Sequence, residues 1–168
     1  MNSIIQRCDV LLNKLYLFSD EVLYLGDSIK DNRLKIFENE IGFELPQDYK
    51  YIIKLHNGIS LLGTAIIGID ESYKEASLEA VYRFEHSTVA HKMPKEFLPF
   101  SQDGRGNHYC LNLAKINNST CPVVFWQWDY NYDSINDVEE TNKSLLSWMK
   151  EVMIVWKIES YNYDGTKK

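Results

Sequence analysis

Cysteine is scarce in this chain, with Cys8, Cys110 and Cys121 the only three in 168 residues. An odd, sparse set without paired spacing excludes a disulfide framework. CxxC and HxxxH pairs are missing, and so are the common zinc signatures. There is no GxxxxGK[ST] loop and no GxGxxG leading into a helix, which removes the usual phosphate cradles. Basic residues are outnumbered, 18 Lys and Arg against 24 Asp and Glu, for a net charge of −6. A sequence-independent nucleic-acid binder needs the opposite sign. No apolar run approaches the roughly 20 residues that span a bilayer. The opening segment is broken by Arg7, Asp9, Asn13 and Lys14 and does not read as a signal peptide. These absences lead us to expect a cytoplasmic protein with reduced thiols, no cofactor and no membrane partner.

What is present is an ordinary globular composition, 45% hydrophobic and 25% charged. The length suits one well-buried domain. Aromatics are abundant, with 11 Tyr, 7 Phe and 4 Trp, enough for a core and an adhesive surface. Repeats and low-complexity tracts are missing.

Periodicity supplies the elements. Ile4, Ile5, Cys8, Leu11, Leu12 and Leu15 form a helical stripe within 2–18. A second helix is expected from about Ser28, capped by Asp27 or Ser28, to Ile41, where Gly42 can take the left-handed stop. Pro46 opens a third helix, with Asp48 at its positive end, and Asn57-Gly58 ends it. "LLGTAIIGID" reads as one strand. Leu78, Val81 and Tyr82 suggest a short helix. "EFLPFSQDGRGNHYCLNLA" reads as strand, Gly-rich turn and strand, and "CPVVFWQWD" as a further strand. A last helix, 142–157, carries Leu145, Leu146, Met149, Val152, Met153 and Trp156 on its apolar face. Asp137, Glu139 and Glu140 before it suit a helix dipole. The order predicts an α+β domain: a central, mostly antiparallel sheet flanked by helices, in a single domain.

Few groups assemble into chemistry. His108 and Cys110 share a strand face, and Cys121 lies one strand on, but a fourth zinc ligand is lacking and buried packing explains all three. Neither thiol sits in a nucleophile signature, and His56 reads as a satisfied, partly buried histidine. The carboxylates show no acid and base in contrasting environments. One stretch stands out: "FWQWDYNYD", residues 125–133, sets Trp126, Trp128 and Tyr130 on one face of an extended chain, beside Asp129 and Asp133. Aromatics beside acids make protein-binding hot spots, unless helices cover both faces of the sheet.

The ordered set "ENEIGFELPQDYKYIIKLHNG", "FLPFSQDGRGNHYCLNL", "CPVVFWQWD" and an apolar C-terminal helix resembles the SMI1/KNR4 superfamily, also called SUKH. The motifs fall on Glu38, Gly42, Leu45, Pro46, Tyr49, Asn57 and Gly58, then Asp103, Gly106 and Asn107, then Pro122, Val123, Val124 and Trp126. Asn107 and Asn112 stand where the family often has aspartate. The resemblance implies a non-enzymatic protein that works by binding: in bacteria, an immunity protein that occludes the active face of a cognate polymorphic toxin, frequently a nuclease. The alternative is an interaction scaffold or signalling module with several weak partners. An acidic inhibitor suits a basic, nuclease-like toxin, with no direct nucleic-acid contact by the inhibitor and a monomeric or weakly homodimeric state. The candidate contacts are Asp103, Arg105 and Asn107 at the hairpin tip, and Trp126, Trp128, Asp129, Tyr130 and Asp133 after the following strand. Residues 1–27 are expected to be a helical extension packed on the core, 28–160 the family-like domain, and 161–168 a frayed tail.

Overall fold

The computed structural model describes residues 2–70 and 76–168. Helix α1 (Ile4–Leu15) starts at Ser3, whose hydroxyl accepts from the Gln6 N–H while the Gln6 side chain returns to the Ser3 N–H. It buries Cys8, Leu11, Leu12 and Leu15. Strand β1 (Leu23–Leu25) follows, then α2 (Asp31–Ile41) and α3 (Gln47–Leu55). Helix α2 begins at Asp31, later than its sequence suggests, and Lys30 gives it no side-chain cap. Residues 26–29 are instead tied to the end of α3: Gly26 N–H bonds Gly58 O, and Ile29 N–H bonds Lys54 O.

The turn between α2 and α3 is built by the motif residues. Gly42 takes φ 76° and its N–H closes on Glu38 O. The Glu38 carboxylate reaches forward to accept the Leu45 N–H at 2.9 Å and meets Lys50 at 3.1 Å. Burial opposes its charge, but the Leu45 N–H and the Lys50 ammonium outweigh it and hold the carboxyl below its ordinary value. At the far end Asn57 does more than stop a helix. Its side chain accepts the Ile69 N–H at 2.7 Å and donates to Ile69 O at 3.2 Å. Gly26 and Gly68 pack against its backbone so closely that an added Cβ would stand 2.1 and 2.7 Å from Asn57 O.

The stretch 61–70 is a hairpin, not one strand. β2 (Ile59–Leu61) pairs antiparallel with β3 (Thr64–Ile66), and β1 pairs with β2 on the other side. The turn residues Leu62 and Gly63 both have positive φ, 46° and 85°, as a tight hairpin turn demands. The expected single sheet is therefore two: order β1-β2-β3, then β4-β5-β6-β7, formed by β4 (Phe97–Gln102), β5 (His108–Asn112), β6 (Val123–Trp126) and β7 (Glu139–Asn142). After β3 Asn57 holds Ile69, and the Ile67 N–H donates to Phe100 O, a bond between the two sheets. Residues 139–142 are the outer strand of the second sheet, where the sequence suggested only acids preceding a helix.

Between the sheets, α4 (Leu78–Arg83) runs on into a π-helical turn, Phe84–Thr88. The C-terminal helix comprises α5 (Leu145–Trp148), a π-helical stretch Met149–Val155 and α6 (Trp156–Ser160). Wide turns advance the phase of its apolar face. Trp148, at ordinary α-helical spacing from Leu145, is buried; Ile154, within the wide turns, is buried too, and Trp156, expected in the core, is 48% exposed. The main core packs Leu98, Phe100, Leu111 and Val123 of the second sheet against this helix, α1 and α3. A smaller core of Met93, Phe97, Cys110, Val124, Trp126 and Val138 fills the opposite face of that sheet. The tail lies against the fold: Ser19 N–H bonds Tyr163 O at 2.8 Å, Phe18 meets the Tyr163 ring, and Tyr161 pairs with Lys167.

Candidate partner-binding face

The β4–β5 hairpin tip is Asp103-Gly104-Arg105-Gly106-Asn107. Its two glycines take φ 81° and 91°. Asp103 holds the turn from inside, accepting the N–H groups of Arg105 (2.7 Å) and Asn107 (3.1 Å) and the Asn107 amide (2.8 Å). Partial burial would raise its pKa, but these donors outweigh it and keep the carboxyl below its ordinary value. An amide at 107 is what this turn needs, because a carboxylate there would face that of Asp103.

Strand β6 ends at Trp126, and the alternation ends with it. Trp126, expected among the contacts, is the last residue of that strand and lies in the smaller core. It is 3% exposed, stacked on Tyr132 at 4.9 Å and edge-on to His91 and Phe97. Trp128 escapes this burial. The chain turns, Trp128 lies against Gly106, and its indole N–H donates to Arg105 O at 3.1 Å. A Cβ on Gly106 would come within 2.8 Å of the ring, so glycine is required there by the ring as well as by φ. Trp128 and Tyr130 are 55% and 54% exposed. Tyr130 rests on Tyr132, whose hydroxyl accepts the Gln127 N–H. Asp129 and Asp133 are exposed beside them. The two predicted segments, 103–107 and 128–133, thus form one surface, fixed from beneath.

Trp156 is a member of this neighbourhood that the sequence did not disclose. It lines a cleft of about 620 Å³ with Tyr109, Ser101, Asp103, Gly104 and Lys157. Asp103 and Gly104 therefore belong to both tip and cleft. The Lys157 ammonium donates to Leu62 O at 3.0 Å, and burial lowers its pKa. Only the π-helical phase shift brings Trp156 here, and apolar periodicity does not reveal such a shift.

Other candidates have structural employment. His108 Nε2 lies 3.0 Å from Glu85, joining β5 to the π-helical turn after α4. Cys110 sits in the smaller core near the Met93 sulfur, and Cys121 sits in the main core, so His108, Cys110 and Cys121 do not converge. His56 Nε2 meets the Tyr16 hydroxyl at 2.6 Å. Among the described residues no group of three or more His, Cys, Asp and Glu is placed to hold a metal, and no helix is long and apolar enough to cross a membrane.

These features define an α+β protein of two antiparallel sheets that presents aromatic and acidic side chains on a braced hairpin tip. The family model of SMI1 / KNR4 (SUKH-1) matches residues 28–151, and the chain belongs to that family. Its members are generally non-catalytic and commonly associated with immunity to polymorphic toxins. A crystal structure of a protein from Pseudomonas syringae pv. tomato aligns with a TM-score of 0.57 at 15% identity, covering 86% of this chain and 96% of that one, a likeness of fold alone. A search of curated proteins gave no match.

Proposed function

We infer that this protein is an immunity protein that neutralises a cognate toxin by covering its active face. The observation that carries the reading is the half-exposure of Trp128 and Tyr130 on a surface braced by Asp103 and Gly106. Large aromatics held in place lose little entropy on binding, and that is where hot spots form. Exposed Asp129 and Asp133 favour a basic partner such as a nuclease, whose active site already accepts phosphate. The inhibitor works by occlusion and needs no chemistry of its own. Trp156 and the adjoining cleft extend the same surface.

The test is a pull-down with the products of the neighbouring genes, followed by calorimetry at low and high salt. One dominant basic partner, bound tightly, supports the reading. Trp128→Ala should weaken that complex by about 2 kcal/mol or more, roughly 30-fold. Asp129→Lys with Asp133→Lys should slow association and flatten its salt dependence. Several weak partners, each indifferent to Trp128→Ala, would favour a scaffold instead.

A further inference from the structure

Arg7, Val10 and Lys14 recur at steps of three and four along α1 and so lie on one face. Leu146 and Lys150 are spaced the same way on the C-terminal helix. The two faces border a groove of about 340 Å³, with Leu11 and Leu146 buried at its base and Arg7, Lys14 and Lys150 exposed at its edge. Val10, in the same wall, is 53% exposed. Among the described residues no ion pair joins any of these three cations to a carboxylate; Arg33, Lys35, Lys50, Lys54 and Lys115 have such pairs, and most other Lys and Arg do not. The α1 carboxylate of Asp9 is occupied elsewhere, accepting from the Tyr51 hydroxyl at 2.7 Å. Ser144 and Ser147 in the groove spend their hydroxyls capping their own helix. What marks the three cations is their placement, around one apolar base, in a chain with six more acids than bases. Half of the groove comes from α1, outside the family segment 28–151.

We propose that this groove binds an acidic peptide segment of a partner protein, with an apolar side chain set against Val10 and carboxylates on Arg7, Lys14 and Lys150. The apolar base distinguishes a peptide from a nucleic acid, whose phosphate backbone offers it no apolar group. The site is independent of the toxin-binding reading, because it asks for the opposite charge and uses none of the same residues.

The experiment is fluorescence anisotropy on the full chain with a labelled octapeptide of six glutamates and two leucines. Saturable binding is expected, weakened at least tenfold by Arg7→Glu with Lys14→Glu, by Lys150→Glu with Lys14→Glu, and by replacing the leucines with serine. Trp128→Ala should leave it unchanged. Circular dichroism of each variant separates lost binding from lost fold, and Lys14→Gln, which removes charge without reversing it, should give an intermediate loss. Binding absent up to millimolar peptide, or unchanged in the folded variants, would overturn the proposal. So would tighter binding of an oligonucleotide of equal charge, or a dimer in sedimentation that the charge reversals abolish.

Discussion

Asn57 and Asn107 show how much a single amide does in this molecule. Asn57 serves both the N–H and the C=O of Ile69, twelve residues on. Asn57→Ala would leave those buried groups unpartnered, and a loss of about 2–3 kcal/mol is expected in urea denaturation. Asn107→Asp would set a second carboxylate against Asp103. A nuclear magnetic resonance titration should then find the Asp103 pKa raised towards or above its ordinary value, with little change in global stability. That Glu38, Gly42, Pro46 and Asn57 mattered was legible from local punctuation. What Asn57 clasps was not, because sequence spacing does not reveal which distant backbone comes alongside. The aromatic stretch was legible as a surface for Trp128 and Tyr130. For Trp126 alternation named the face but not its cover: the face it shares with Val124 is filled by the smaller core.

Elements of ten residues or so announced themselves, whereas strands of three did not. β1, β2 and β3 have three residues each, too few for alternation to register, and Leu62 takes a positive φ that leucine rarely signals. β7 reads Glu-Glu-Thr-Asn and carries no apolar pattern, since it is an exposed edge. The π-helical turn after α4 is held to β5 by the Glu85–His108 pair. Burial lowers the His108 pKa, the Glu85 charge opposing it only in part. His56 is shifted the same way, also by burial. As pH falls through about 6.5, the unfolded chain takes up protons that the folded chain resists, so stability falls with acidification. The unfolding free energy from urea denaturation should be lower at pH 5.5 than at pH 7.5, by at most about 1.4 kcal/mol per pH unit for each histidine and by less for the partly solvated His56. His108→Gln should reduce that difference and leave the His56 share.

On the scale of the whole molecule, the three thiols report on closure of the fold. All are buried, and burial, with Asp48 adding to it, pushes Cys8 up to about 12. A thiol reagent such as Ellman's should find none of them reactive at neutral pH in the native state and all three after unfolding. Helix α1 stands outside the matched family segment, yet it buries four side chains against α3 and the C-terminal helix. At about 1.5–3 kcal/mol for each leucine-sized group, that rivals the entire stability of a typical domain, about 5–15 kcal/mol. A chain begun at residue 28 should therefore be recovered aggregated, or unfold at low urea. The fold class was legible because helices, meander and helix follow in order; the division into two sheets was not, since it depends on which strands pair across the chain. The wide turns of Met149–Val155 also carry a consequence for chain length. They hold more residues than α-helical turns over the same rise, which gives the helix slack. Deleting one residue there would let the turns tighten to α-helical ones, keep Leu145–Met149 seated, and leave Trp156 and Lys157 facing the same cleft. Related chains shorter by one residue in this stretch would then keep the same cleft on the same frame, a way for helix length to drift without loss of the surface.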